Sequence, residues 1–302
     1  MTQNLSQRRA WSSTDLLMLL VVCIWGINFP VMKLALRDFS PLSFTALRFS
    51  LATLLLLGIM RLRGESFGLA RRDLAPIVGL GLIGHTIYQI IFINGLNHTT
   101  SSNSALLIAT SPIWVAVYGH LLGIERNSRL VWAGIFLSFS GTLLLILGGK
   151  QGISLAGGGL LGDLLILIGA MAWAAYMTGS KLLLARHSSL KLTALGMLTG
   201  TIPLDLISLP ALLSQNWTAI SLGAWGGVIY SSVFALTVGY VFWYTSVQRI
   251  GNARTAIYAN LPPVVAVIVA WLVVGDRLAL LQGVGGAVVL GGIMLTRKGW
   301  AR

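Results

Sequence analysis

The residues that could do chemistry in this sequence are ionisable groups set inside long apolar runs, where a charge is expensive and needs a reason. Four stand out: Lys33, Arg48, Lys181 and Asp205. Asp205 is the one acidic residue well inside such a run, between Pro203 and Pro210. It reads either as a proton-coupling carboxylate or as an acceptor for backbone groups freed by a proline kink. Arg48 could meet a carboxylate on a small molecule; the competing reading is a cation paired with carbonyls or snorkelled to headgroups. Lys33 and Lys181 lie near opposite ends of their runs, which fits gates or anchors that bond carbonyls or helix ends better than ligand contacts. Asp15 and Asp163 begin runs, where a carboxylate caps free N–H groups.

A second signal is polar-tipped aromatic residues at helical spacing. His85, Tyr88, Gln89 and Phe92 fall at i, i+3, i+4 and i+7 on one face. Trp25, Asn28 and Met32 share a face, as do Trp173, Tyr176 and Ser180, and Thr237, Tyr240 and Tyr244; Tyr258, Asn260 and Trp114 add to them. At mid-depth in a membrane such residues must face protein or water. Together they describe an aromatic, almost uncharged cavity that offers indole N–H, phenol O–H and amide groups on apolar walls. That lining suits a neutral or zwitterionic solute with an apolar body, and a phosphorylated dianion poorly. His85 could titrate near neutral pH and couple or gate, or could bridge helices. Trp11, Trp217, Trp225 and Trp300, near run ends, read as interfacial belt residues. Nothing supports bond-making chemistry: no phosphate loop, no metal-ligand spacing, no nucleophile with a partner, and a lone Cys23. The expectation is no enzyme, no metal and no cofactor.

The elements that must position these residues are transmembrane helices. The chain is 56% hydrophobic and 10% charged, against about 25% charged in soluble domains. Its apolar residues fall into ten runs, at 15–36, 42–61, 74–96, 102–123, 130–148, 160–185, 191–213, 222–247, 253–274 and 280–297. The first is too long for a signal-peptide core, and the absence of strand alternation excludes an outer-membrane barrel. The net charge of +13 sits in the loops, where it meets lipid headgroups rather than nucleic acid. Fifteen Lys and Arg residues fall on one side of the runs, and three (Arg37, Lys150 and Arg277) on the other. The positive-inside rule then places both termini in the cytoplasm.

The runs repeat. Trp25 and Lys33 recur as Trp173 and Lys181, 148 residues on, and Asp15-Leu16-Leu17 and Thr45-Ala46-Leu47 recur in the same register. Further along the interval becomes 151, pairing Pro112 with Pro263, Glu125-Arg126 with Asp276-Arg277, Gly134 with Gly285 and Gly141 with Gly292. Five runs per copy, an odd number, turn the second copy upside down. The expected fold is an all-α polytopic membrane protein: ten transmembrane helices in two inverted five-helix repeats around a central cavity. Its parts are a tail at 1–14, repeats at 15–148 and 160–297, a linker at 149–159 and a tail at 298–302. Inverted repeats accompany secondary transporters that work by alternating access; the bland alternative is a duplication kept for structure alone. Pro112, Pro262 and Pro263 are hinge candidates, and the glycines of the fifth and tenth runs are helix contacts between halves or protomers, in a monomer or a homodimer.

Ten helices in two copies, Trp25…Lys33 and Trp173…Lys181 in the first of each, and short proline-containing fourth and ninth helices ending in acid plus Arg resemble the drug/metabolite transporter superfamily. The EamA-type exporters are the most similar. The resemblance covers about 15–297 and implies a ten-helix basket that exports amino acids or other small metabolites across the bacterial inner membrane. Aromatic amino-acid exporters of the YddG type suit the aromatic content. Alternatives are multidrug export, which would want a mid-membrane carboxylate in the first helix, and a lipid flippase. With few acidic groups inside, facilitated efflux is the expectation, and Asp205 and His85 are the residues that could overturn it.

Overall fold

A computed structural model describes residues 13–99, 101–149, 159–269 and 279–298. Among the described residues the secondary structure is helical, with no strand. An apolar run in lipid has to satisfy its backbone within itself, and a helix does so. In the first half these are α1 (Ser13–Ala35), α2 (Pro41–Leu62), α3 (Arg71–His98), α4 (Ser101–Ile108), α5 (Ser111–Leu121) and α6 (Arg129–Leu147). In the second they are α7 (Leu160–Leu184), α8 (Ser189–Ser214), α9 (Leu222–Ile250), α10 (Asn252–Ala256), α11 (Pro262–Val269) and α12 (Leu280–Lys298). Seven of them, α1, α2, α3 and α6 to α9, are long and apolar enough to cross a membrane. Exposed leucines such as Leu16, Leu20 and Leu34 on α1 and Leu206 and Leu209 on α8 form an outer surface fit for acyl chains.

Serines set four helix starts. Ser40, Ser128, Ser188 and Ser221 are extended N-caps whose side chains accept from the N–H three residues on. Asp163 is not the cap expected of it, since Gly159 holds that position without a side-chain bond; its carboxylate instead accepts from Thr99 Oγ1 (2.5 Å) and Asn103 Nδ2 (3.1 Å), tying the start of α7 to the α3–α4 joint. Asp15 accepts from Tyr258 O–H (2.6 Å), tying α1 to the second half.

The structure departs from the expected helices in three places. The run at 102–123 is broken at Ala109–Thr110, directly before Ser111 and Pro112, because proline lacks the N–H and its ring crowds the preceding turn. The run at 253–274 is also divided, into α10, a 3-10 turn at Ile257–Asn260 and α11 beginning at Pro262. Its last residues lie outside the described ones. So do Arg8, Arg9, Trp11, Lys150, Asp276, Arg277, Trp300, Arg302 and most of the 149–159 linker. Third, α3 and α9 each contain a π-helical segment, Leu82–Ile87 and Ser231–Val238, which a 3.6-residue period cannot foretell.

The two halves interlock through small residues. On α6 and α12, a Cβ on Gly134 would lie 2.6 Å from Gly292 O, and one on Gly285 2.7 Å from Gly141 O. Such backbone proximity needs glycine. Thr53 Oγ1 meets Thr201 Oγ1 at 2.9 Å across α2 and α8, 148 residues apart. Loops clasp as well. Asp38 accepts from the N–H (2.9 Å) and Oγ (2.5 Å) of Ser221. Elsewhere Asp73 meets Arg186 (2.7 Å) and His187 (2.9 Å).

Candidate functional site

Between the halves lies a cavity of about 110 Å³, walled by α1, α2, α3, α4, α7, α9 and α11. Its aromatic wall is built from both copies. The rings of Trp25 and Trp173 meet edge to face at 6.2 Å, and Tyr240 stands 6.0 Å from the first and 5.5 Å from the second. Tyr88 lies 5.4 Å from Trp173. Edge-to-face contacts of this kind fix the rings while leaving apolar faces for a guest. Trp25 Nε1 donates to Ala235 O at 3.0 Å, and Asn28 Oδ1 accepts from Ser231 Oγ at 2.7 Å. Both acceptor and donor lie in the π segment of α9, so the wider turn lets α1 anchor there. Gly239 completes the fit: a Cβ there would come within 2.7 Å of Trp25 Nε1. Phe92 and Ile108 add apolar surface, and Ala259, Pro262 and Pro263 line the side where the backbone changes from 3-10 turn to α11.

One edge of the cavity is polar. Arg48, 3% exposed, reaches from α2 and donates through Nη2 to Gln89 Oε1 (2.9 Å) and through Nη1 to Met32 Sδ (3.3 Å). Its guanidinium carbon stands 5.4 Å and 5.3 Å from the ring centroids of Phe44 and Phe49. Nε has no partner, and among the described residues no carboxylate pairs with this cation.

Of the residues singled out from sequence, Trp25, Asn28, Met32, Tyr88, Gln89, Phe92, Trp173 and Tyr240 line this cavity, together with the buried cation Arg48 and the hinge candidates Pro262 and Pro263. Others lie elsewhere. His85 Nε2 and Tyr176 O–H share a hydrogen bond of 2.7 Å in the core; the π segment turns His85 off the face that carries Tyr88, Gln89 and Phe92. Trp114 packs beside Tyr118, and Asn260 Nδ2 donates to Ser138 Oγ at 3.0 Å. Tyr258 serves the Asp15 tie. Pro112 sits at the α4–α5 break. Asp205 accepts from Ser50 Oγ (2.6 Å) and lines an outer groove between α2 and α8. It is bonded to a hydroxyl, not to backbone released by the prolines.

The lysines mark two ends of the bundle. Lys33 Nζ donates to Leu96 O at 3.1 Å near the C-terminus of α3. Lys181 pairs with Glu125, just beyond α5, so it reaches into the other half of the chain rather than its own. The Glu125 carboxylate also accepts from the N–H groups of Asn252 (2.8 Å) and Ala253 (3.1 Å), capping α10. Gly251, at φ 87°, makes the turn that presents them. Glu125 enters the sequence argument as a mark of the repeat and not as a working residue, although an acid at the end of one copy's helix and its echo in the other were a usable signal. Ala235, Leu236, Ile108 and Ala259 carry no such signal, because apolar residues facing a cavity and facing lipid look alike.

The profile of the EamA-like transporter family matches the chain twice, over residues 12–147 and 160–298. The uncharacterized transporter YyaM of Bacillus subtilis is 30% identical over 282 residues, covering 92% of this chain and 90% of its own. A probable terminal-alkyne amino-acid exporter of Streptantibioticus cattleyicolor is 28% identical, with 93% and 92% covered. The uncharacterized inner membrane transporter YedA of Escherichia coli is 26% identical, with 91% and 88% covered. A crystal structure 18% identical in sequence superposes with a TM-score of 0.77 over 94% of this chain and 96% of its own, and so shares the fold. The twofold match covers most of the sequence, and this multi-pass membrane protein belongs to the EamA-like transporter family of the drug/metabolite transporter superfamily.

Proposed function

We propose that this protein is a secondary exporter of small amphipathic metabolites, in particular aromatic or other neutral amino acids. It works by alternating access in the bacterial inner membrane with both termini cytoplasmic. The observation that carries the reading is the cavity wall shared by Trp25 and Trp173, counterparts in the two copies that meet at the centre of the molecule. Reciprocal contacts support two copies related by a two-fold axis. Gly134 meets Gly292 while their counterparts Gly285 and Gly141 meet each other, and Thr53 bonds its own counterpart Thr201. With five crossings per copy, α4 and α5 together making one and α10 and α11 another, that relation inverts the second half. Exchange of conformation between the halves then opens the cavity to alternate sides.

In this reading Lys181, Glu125 and the start of α10 close the cytoplasmic end, and Pro112 and Pro263 stand where the short helices bend. Asp205 lies in the outer groove, away from the cavity, which favours facilitated efflux over obligatory proton exchange. The name of the Streptantibioticus relative, a probable amino-acid exporter, points to the same substrate class. The lining described contains no carboxylate, which disfavours a cationic-drug pump. Reconstituted liposomes test the proposal. A panel of labelled neutral amino acids should show counterflow, with phenylalanine, tyrosine or tryptophan among those carried, and no counterflow of any member would sink it. A pH gradient should not drive accumulation; if it does, and Asp205→Asn abolishes that drive alone, the facilitative mechanism is wrong.

A further inference from the structure

Arg48 stands against the architecture around it. A guanidinium held in low dielectric without a counter-ion is costly, and such groups are normally paired with an anion. Here its partners are neutral, the Gln89 amide oxygen, the Met32 sulfur and two phenyl rings, and its Nε–H is unsatisfied although the side chain is 3% exposed. The fold does not call for a cation at this position. The counterpart of Arg48 in the second copy, 148 residues on, is Gly196. There the space is occupied by His85 and Tyr176, whose nearest atoms would stand 3.7 and 3.8 Å from an added Cβ. The two halves therefore share the aromatic wall and differ at this one charged edge.

We propose that the Arg48 guanidinium, held in place by Gln89, is the binding site for a substrate carboxylate, so that the cavity selects solutes carrying one carboxylate on an apolar or aromatic body. This rests on the reading of the cavity as the substrate site. A guanidinium presents five donors in a planar fork, and two are engaged, leaving Nε–H and further Nη–H groups for an incoming anion. The rings of Trp25, Trp173, Tyr88 and Tyr240 then face the body of the guest. Since Arg48 is the one charged residue lining the described cavity, the carboxylate is required and a substrate ammonium group is not.

The wild-type protein in nanodiscs tests this without any variant. Thermal stabilisation would be measured with 3-phenylpropionate, 3-phenylpropionamide and phenethylamine, which share a body and differ in charge. Counterflow of the acid and the amide would be measured in liposomes. The acid is expected to stabilise the protein at a concentration at least about tenfold lower than the amide, the difference a charge-assisted hydrogen bond makes. Phenethylamine is expected to have no effect. Arg48→Gln should erase the preference for acid over amide, and Arg48→Lys, which keeps the charge but loses the fork, should retain part of it. Equal response to acid and amide, no response to the acid, or a folded Arg48→Gln protein that keeps the preference would overturn the inference. Selective binding of the acid with no counterflow of any solute would leave the anion site standing and remove the transport reading instead.

Discussion

Trp25 has two tasks that substitution can separate. Its ring forms part of the cavity wall, and its indole N–H ties α1 to the π segment of α9. Trp25→Phe keeps most of the ring and deletes the tie, so it should cost about 1 kcal/mol of stability, read as a lower melting temperature, while counterflow persists. Trp25→Ala removes both and should lower the counterflow rate at least about tenfold, with a larger fall in melting temperature. Equal transport by both variants would detach the wall from function. At this scale the sequence was informative wherever the backbone kept a regular turn. Trp25 and Asn28 share a face at i and i+3, and Tyr88, Gln89 and Phe92 do so at i, i+1 and i+4. His85 leaves that face, because the π segment at Leu82–Ile87 changes the angle per residue just before Tyr88, and it bridges α3 to α7 through Tyr176, the second of its two readings. For Asp205 the limit is different, since burial in a span does not say whether a side chain faces the centre or the next helix.

Among the elements, the π segment of α3 depends on a close approach that only glycine permits. A Cβ on Gly84 would fall 2.4 Å from the ring of Tyr176. Gly84→Ala should therefore displace that ring and its bond to His85, costing on the order of 1–3 kcal/mol as overpacking. The checks are the melting temperature and the tyrosine environment in near-ultraviolet circular dichroism. The loop clasp at Asp38 should make stability depend on pH. Hydrogen bonds from the Ser221 side chain and backbone hold its carboxyl below the usual carboxylate range. A group whose pKa is lowered by folding stabilises the fold above its unfolded value and loses that contribution as pH falls through the folded one. Melting curves of wild type and Asp38→Asn should thus differ at neutral pH and converge in acid; a constant difference would show that the clasp acts without its charge. The helices themselves were legible from apolar run length, whereas their serine caps emerge only from the structure. The breaks at Ala109–Thr110 and before Pro262 follow from prolines, but where a helix loosens around a proline depends on its neighbours.

For the molecule as a whole, the family profile matches twice, over residues 12–147 and 160–298. The packing of α6 on α12 adds why its glycines are spaced as they are. What stayed hidden was the traffic between halves: Lys181 with Glu125, Asp163 with Asn103, and Tyr258 with Asp15 all join residues far apart in the chain. Under the proposed mechanism the Glu125 cluster has to open in each cycle. Glu125→Gln weakens it by on the order of 1–2 kcal/mol, given that Lys181 is partly solvated. In a Cys23→Ser background, maleimide labelling of a cysteine placed at Ala256 from the cytoplasmic side should then speed up several-fold. Unchanged labelling would take the cluster out of the gate.

The bond between Thr53 and Thr201 has a different fate. Under the proposed exchange of shape between equivalent halves, a contact whose two-fold partner is unmade gives way to that partner, but a contact between a residue and its own counterpart maps onto itself. That makes this pair, 2.9 Å apart, a fixed point of the motion. A disulfide made there by Thr53→Cys with Thr201→Cys should leave counterflow running, whereas one made by Glu125→Cys with Asn252→Cys should stop it. The pair would then be a fulcrum of the molecule, a place that can be riveted without stopping the machine.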